Sequence, residues 1–99
     1  MNVIPPLKKS RLRILAILKE GQNDGGMKLE EVPPLLLQQF NKTATSSVVL
    51  ACIHDLKHMG LVSKNGEKYT LTARGLAHVT FLQENQPDLF RKTLSPEHP

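Results

Sequence analysis

The sequence predicts a small α+β fold that is mostly helical and carries one antiparallel β-hairpin. Two observations lead to this class. Apolar residues recur at helical spacing in residues 7–20 and again in residues 49–56. The period changes to two in residues 61–71, as in a strand with one buried face. Because 99 residues provide only one modest core, we expect one domain over residues 1–85 and a short C-terminal tail over residues 86–99.

The first half of the chain predicts two helices with a loop and a short strand between them. Residues 7–20 form the first helix, which ends where Gly21 provides a C-cap. Glycines and turn-forming polar residues then predict a loop over residues 21–26. Residues 27–29 alternate apolar and polar, which fits a very short strand. Two consecutive prolines follow and fit only the first turn of a second helix over residues 33–40.

A third helix is predicted between a hydroxyl-rich segment and Gly60. Thr45 is the favoured N-cap, since threonine and serine hydroxyls accept from the free amides of a first turn. Val49, Ile53 and Leu56 follow at spacings of four and three residues, which places them on one helical face. We expect this face to be buried.

Asn65 and Gly66 are predicted to form the two-residue turn of a hairpin, because both central residues of that turn need positive φ. This register pairs Lys64 with Glu67, Ser63 with Lys68, and Val62 with Tyr69. One face of the hairpin is then expected to be buried, with Val62, Tyr69 and Leu71 on it. The other face is expected to meet solvent, with Ser63, Lys68 and Thr70 on it.

A fourth helix is predicted to begin after Thr72, which can serve as its N-cap. The helix should end near Asn85, ahead of Pro87, because a proline disfavours helical geometry in the residue before it. A short amphipathic piece over residues 87–94 is expected to follow.

Composition narrows the function classes. A net charge of +4 and a pI near 9.5 suit a polyanionic partner. The single cysteine, Cys52, cannot form an internal disulfide, which favours a reducing cytoplasm. The longest apolar run is far too short to cross a membrane, so no membrane partner is expected. No phosphate-binding glycine loop and no paired nucleophile and base are found, so neither an enzyme nor a cofactor is expected.

Two short motifs and the order of elements indicate a family. A Gly-Leu-Val step, Gly60 to Val62, joins the third helix to the hairpin, and a Leu-Thr-x-x-Gly motif, Leu71 to Gly75, closes the hairpin. With the order helix, strand, helix, helix, hairpin, helix, this stretch resembles winged helix-turn-helix proteins, especially MarR-type and PadR-type bacterial transcriptional regulators. The resemblance implies a DNA-binding regulator with a recognition helix in the major groove of double-stranded DNA and the hairpin as its wing.

The third helix supplies the first set of candidate DNA-binding residues. A recognition helix presents its N-terminal residues to base edges, which selects Thr43, Thr45, Ser46 and Ser47, with Ala51 and His54 one and two turns further along. An alternative is that the hydroxyl residues only cap the helix. A protein-interaction module is the competing function, since Val48, Leu50 and Ala51 are apolar where a base-reading helix usually carries Arg, Asn or Gln.

The wing supplies the second set. Lys64, Asn65 and Lys68 lie at or near its tip and Arg74 opens the next helix, so these residues are candidates to grip phosphates or enter a minor groove. Exposed lysines on a hairpin edge also serve solubility, which is the alternative interpretation. A basic cluster in the first helix is either a backbone clamp or the polar face of that helix; it consists of Lys8, Lys9, Arg11 and Arg13.

Two further features of the sequence concern a possible metal site and a possible dimer contact. His54 and His58 lie one helical turn apart, a spacing that can chelate a metal, but they supply only two ligands, so no metal site is predicted. Large apolar residues near the C-terminus are candidates for a homodimer contact: Phe81, Leu89, Phe90 and Leu94. The alternative is that this tail folds back onto its own first helix.

Overall fold

The structure, a computed structural model, describes residues 6–90 and has four α-helices and one three-stranded antiparallel sheet. The predicted α+β class is confirmed, and the element order is compatible with a winged helix. Among residues 6–90, no helix combines the length and the apolar character that crossing a membrane requires. The elements are α1 (Lys9–Glu20), β1 (Met27–Lys28), α2 (Val32–Phe40), α3 (Ser46–His58), β2 (Val62–Asn65), β3 (Lys68–Leu71) and α4 (Ala73–Asn85).

Helix α1 is the centre of the core. It packs against α2, α3, α4 and β3, and five consecutive side chains from Ile14 to Leu18 are buried. The predicted apolar face of α3 is confirmed, since Val49, Ile53 and Leu56 have no exposed surface. Such burial of Leu, Ile and Val provides the main driving force for a fold with few aromatic residues.

Helix boundaries agree with the sequence to within two residues. The first helix begins at Lys9, two residues later than predicted, and it ends at Glu20 with Gly21 as its C-cap. The second begins at Val32 and has its prolines in the first turn, where a missing amide hydrogen costs nothing. The tail forms a 3₁₀ turn over Pro87–Phe90, and the rest of the predicted piece lies outside the described residues.

The sheet has the order β1-β3-β2. The predicted short strand is confirmed as β1, whose Met27 lies opposite Tyr69 of β3. Beyond β1, the side chain of Gln22 continues the pairing of β3. Its Nε2 donates to the Leu71 carbonyl at 3.1 Å, and its Oε1 accepts from the Leu71 amide at 3.0 Å. One side-chain amide therefore satisfies both backbone groups of Leu71.

The predicted hairpin register is wrong by two residues. Asn65 pairs with Lys68 as the last residue of β2, and Lys64 pairs with Tyr69. The turn therefore consists of Gly66 and Glu67, and only Gly66 has a positive φ, +65°. A turn with glycine at its first central position needs positive φ only there, so asparagine was free to join the strand. Because the shift is even, the predicted buried face is still correct: Val62, Tyr69 and Leu71 are all buried.

The junction between α3 and α4 holds the two motifs together. Gly60 has φ +77°, the left-handed conformation that turns the chain out of α3. The Thr72 hydroxyl donates to the Gly60 carbonyl at 2.6 Å and accepts from the Gly75 amide at 3.0 Å. A Cβ on Gly75 would lie 2.0 Å from the Leu61 carbonyl oxygen. The predicted N-cap role of Thr72 is therefore confirmed.

Replacing Thr72 tests this junction. Thr72→Val keeps the shape but leaves the Gly75 amide and the Gly60 carbonyl without their side-chain partner, so we expect a loss of about 1–2 kcal/mol in the free energy of unfolding. Thr72→Ser keeps the hydroxyl and is expected to stay within about 0.5 kcal/mol. Urea denaturation measures both. Equal stability of the two variants would show that the hydroxyl does not stabilise the junction.

Candidate nucleic-acid interface

The N-terminus of α3 lies at the surface. Thr45 is its N-cap, as predicted, and the Thr45 Oγ1 accepts from the Val48 amide at 3.2 Å. Thr43, Ser46 and Ser47 are exposed as well. The capping role of Thr45 is thus real, and it leaves the hydroxyl hydrogen of Thr45 available to a ligand.

Further along α3, one row of exposed side chains lies opposite its buried face. Ser47, Ala51, His54 and His58 are exposed and follow one another at spacings of four, three and four residues. Three of these four residues were predicted from the sequence. We call this row, with Thr45 and Ser46, the α3 surface. It is polar at its start, small in the middle and weakly basic at its end, so a rod-shaped partner can approach closely.

Two cations lie beside the start of α3: Lys42, which the prediction left out, and Arg13 of the α1 basic cluster. Lys42, Arg13 and Thr43 line one cavity of about 190 Å³, together with Val48 and Val49 of α3. Arg13 comes from α1, where its guanidinium lies 5.9 Å from the centre of the Phe40 ring. Only one feature of the sequence indicated this convergence, the position of Lys42 next to the hydroxyl-rich segment. The α1 basic cluster therefore contributes at least one side chain next to α3.

The β2–β3 hairpin presents a second group of cations. Lys64 is exposed and its ammonium lies 5.7 Å from the centre of the Tyr69 ring. Lys68 donates to the Asp24 carbonyl at 3.1 Å, so this lysine also ties the hairpin to the loop after α1. Lys28 of β1 lies opposite Lys68 in the sheet and adds a cation that the prediction missed. Asn65 is exposed at the tip.

Arg74 lies at the opposite end of α3 from the capping residues. A Cβ placed on Gly60 would be 3.7 Å from the Arg74 Nη1, which puts this guanidinium next to the C-terminal end of α3. A helix of 13 residues is about 20 Å long. Arg74 therefore does not belong to one cluster with Thr43 and Ser47, and it suits the last carbonyls of α3 as well as it suits a phosphate.

The one acidic residue of α3, Asp55, is engaged by a cation. Arg11 of α1 donates to the Asp55 carboxylate and forms a salt bridge with it. This bond lowers the pKa of Asp55, with smaller contributions in the same direction from the charge of Arg11 and from His58 and His54. The same bond raises the pKa of Arg11. The pair thus offsets the only negative charge on the helix and joins α3 to α1.

The residues proposed for protein contacts are divided by the fold. Val48 is 54% exposed and Ala51 is exposed one turn further along, but Leu50 packs partly buried against the core, so the three residues do not form one patch. Phe81 is 58% exposed, whereas Leu89 and Phe90 pack partly buried against the core of their own chain. Leu94 lies outside the described residues.

No metal site is formed by the part of the chain that the structure describes. Within residues 6–90, no three His, Cys, Asp or Glu side chains lie close enough together to hold an ion. His54 and His58 are exposed on α3, and Cys52 is buried behind them.

The chain was also compared with known proteins. No model of a known protein family matches it, and no curated protein matches it either. What supports a function for the α3 surface is therefore its own exposure, shape and charge.

The Arg11–Asp55 pair predicts a pH dependence. Because the pKa of Asp55 is lowered in the folded state, its ionised form stabilises the fold above about pH 4, and this contribution is lost as the pH falls through the lowered value. Asp55→Asn should therefore be less stable than the wild type at neutral pH, and the difference should shrink in acid. Urea denaturation at pH 7 and pH 3 measures it.

The matched control is Arg11→Gln, which removes the other partner. The double variant should be no less stable than the less stable single variant, because both substitutions remove the same bond. Since the pair is exposed, added salt should also reduce the effect. A difference between wild type and Asp55→Asn that persists unchanged at pH 3 would contradict the assignment.

Proposed function

We propose that this protein is a DNA-binding transcriptional regulator of the winged helix-turn-helix kind, with α3 as its recognition helix and the β2–β3 hairpin as its wing. In this proposal α3 enters the major groove of double-stranded DNA, and Ser46, Ser47 and His54 meet base edges. Lys64 and Asn65 at the wing tip contact the phosphate backbone or the minor groove.

The observation that carries this proposal is the exposed, acid-free α3 surface with cations on either side of it. Asp55 is the only acid of α3, and it is paired with Arg11. Lys42 and Arg13 lie beside the start of the helix, and Lys64 projects from the hairpin that follows its end. An α-helix is about 10–12 Å wide, and the major groove of DNA can accommodate it. Cations on either side of the helix would then meet the phosphates that border the groove.

The side chains of α3 allow the helix to approach DNA closely but provide few groups that distinguish one base from another. Ala51 is small and the first-turn residues carry short hydroxyls, which hydrogen-bond to either base edges or phosphates. His54 is the longest polar side chain among the predicted base-contacting residues. We therefore expect affinity to come mainly from phosphate contacts, with modest discrimination between sequences.

Charge reversal at the flanking cations tests the proposal. Lys42→Glu and Lys64→Glu should each weaken binding to a random 20-base-pair duplex by about tenfold at 0.1 M salt, because each removes a phosphate contact. With about five such contacts in the wild type, the slope of log K against log salt should be near −4.5, and each variant should flatten it by about 1. Fluorescence anisotropy across salt concentrations measures both quantities.

Lys19→Glu is the matched control. It makes the same change in net charge, but Lys19 lies near the C-terminal end of α1, where its Nζ donates to Gln83 of α4 at 2.7 Å. We expect its affinity to stay within about twofold of the wild type. A nearly flat salt slope, or equal losses in all three variants, would sink the proposal of a specific DNA surface.

The regulator is proposed to act as a homodimer, because one domain of this size makes few contacts with a single half-site. Phe81 on α4 is the candidate contact that remains exposed in the described part of the chain. Phe81→Asp should convert a dimer into a monomer in sedimentation, whereas Leu37→Asp, at a comparably exposed position on α2, should not. A wild-type chain that sediments as a monomer at 0.1 mM would refute the dimer.

A protein-interaction module is the second candidate, and the exposure of Val48 favours it. Val48 is exposed near the start of α3, and a valine side chain fits an apolar contact with a protein better than the polar edge of a base. The thymine methyl group is the one apolar base contact it could make. This candidate expects no affinity for duplex DNA at low salt. The anisotropy titration of the wild type therefore separates the two functions.

A further inference from the structure

A second concave surface lies away from α3, between α1, α4 and the 3₁₀ turn Pro87–Phe90. It is a groove of about 590 Å³, within the size range of small-molecule sites. Leu7 and Leu12 line it from the α1 side, and Leu82 and Leu89 line it from the α4 side. None of its described lining residues belongs to α3 or to the hairpin.

The groove has an apolar floor and a cationic rim. Leu12 is buried, and Leu7, Leu82 and Leu89, which also line the groove, pack partly buried against the core. Lys8 and Lys9 also line it and are exposed to solvent. Among the described residues that line the groove there is no Asp or Glu. A ligand that matches both parts has an apolar body and one negative charge.

His78 adds a hydrogen-bonding group at the same place. It lines the groove from α4 and is half-buried. Burial lowers the pKa of His78, and the positive charge of Arg74 lowers it further. The imidazole is therefore neutral at pH 7, and it carries one N–H donor and one acceptor.

We propose that this groove binds a small amphipathic carboxylate, with its hydrocarbon body against Leu12, Leu82 and Leu89 and its carboxylate at Lys8, Lys9 and His78. The apolar body gains from leaving water, and the carboxylate is held at the open rim, where it need not be fully desolvated. The charge of the rim selects an acid over a neutral compound of the same length. The site uses none of the residues that the proposed function places on DNA, and it assigns Lys8 and Lys9 to the groove instead of to a backbone clamp.

Octanoate is the probe that tests the site. NMR titration of the full chain should show shifts at Leu82 and Leu89, with binding at least tenfold tighter than for 1-octanol or acetate. Octanol has the hydrocarbon body without the charge, and acetate has the charge without the body. The carboxylate should also raise the pKa of His78, because an adjacent anion favours the imidazolium that burial and Arg74 disfavour. The His78 ring signals report this change.

Two variants complete the test. Lys8→Glu/Lys9→Glu should weaken octanoate binding at least tenfold and abolish the shift in the pKa of His78, and both positions are exposed enough to tolerate the change. Lys42→Glu/Lys64→Glu carries the same change in charge elsewhere and should bind octanoate as the wild type does. The proposal is overturned if octanol binds as tightly as octanoate, or if no shifts occur. It is also overturned if octanoate dissociates a dimer, since the groove is then a contact between copies.

Discussion

The hydroxyl of Thr72 bonds two helices at once, and the placement of the candidate site depends on it. The Gly60 carbonyl after α3 and the Gly75 amide in the first turn of α4 share this one side chain. The contact requires that Gly75 pass directly under Leu61, and it fixes where α3 ends and where the hairpin leaves. A residue without a hydroxyl at position 72 removes both hydrogen bonds, whereas a Cβ at position 75 would clash with Leu61 and push α4 away from it. The direction of the hairpin relative to α3 follows from this contact.

Helix α1 provides the other constraint on α3. Its apolar side fills the core, while its polar side reaches α3 at two points, through Arg11 to Asp55 and through Arg13 near Lys42. The first contact offsets the negative charge of α3, and the second adds a positive charge beside its start. The basic cluster that looked like an ordinary polar face in the sequence therefore shapes the charge of a neighbouring helix.

Local signals in the sequence predicted most of the fold. Thr45 and Thr72 could be predicted as N-caps because an N-cap hydroxyl accepts a hydrogen bond from an amide in the first turn of its own helix. That contact depends only on neighbouring residues. The prediction of the hairpin register was wrong because the sequence allows a turn at either Asn65–Gly66 or Gly66–Glu67. The pairing of β3 with Met27 on its other side also influences which turn forms. The positions of Lys42 and Arg74 could not be predicted, since each depends on contacts between residues far apart in the chain. Sequence spacing correctly placed Ser47, Ala51 and His54 in one row, because all three lie on a single helix.

The Gln22 side chain also affects whether two copies of this chain can associate through the edges of their sheets. Strand β1 is only two residues long, and beyond it both backbone groups of Leu71 are already bonded to Gln22. The far edge, β2, is four residues long and mostly exposed, with a lysine in it. The shortness of both border strands and the lysine in β2 disfavour pairing with a strand from another molecule. Self-association through growth of the sheet is thereby disfavoured, which leaves side-chain contacts between helices as the route to any assembly.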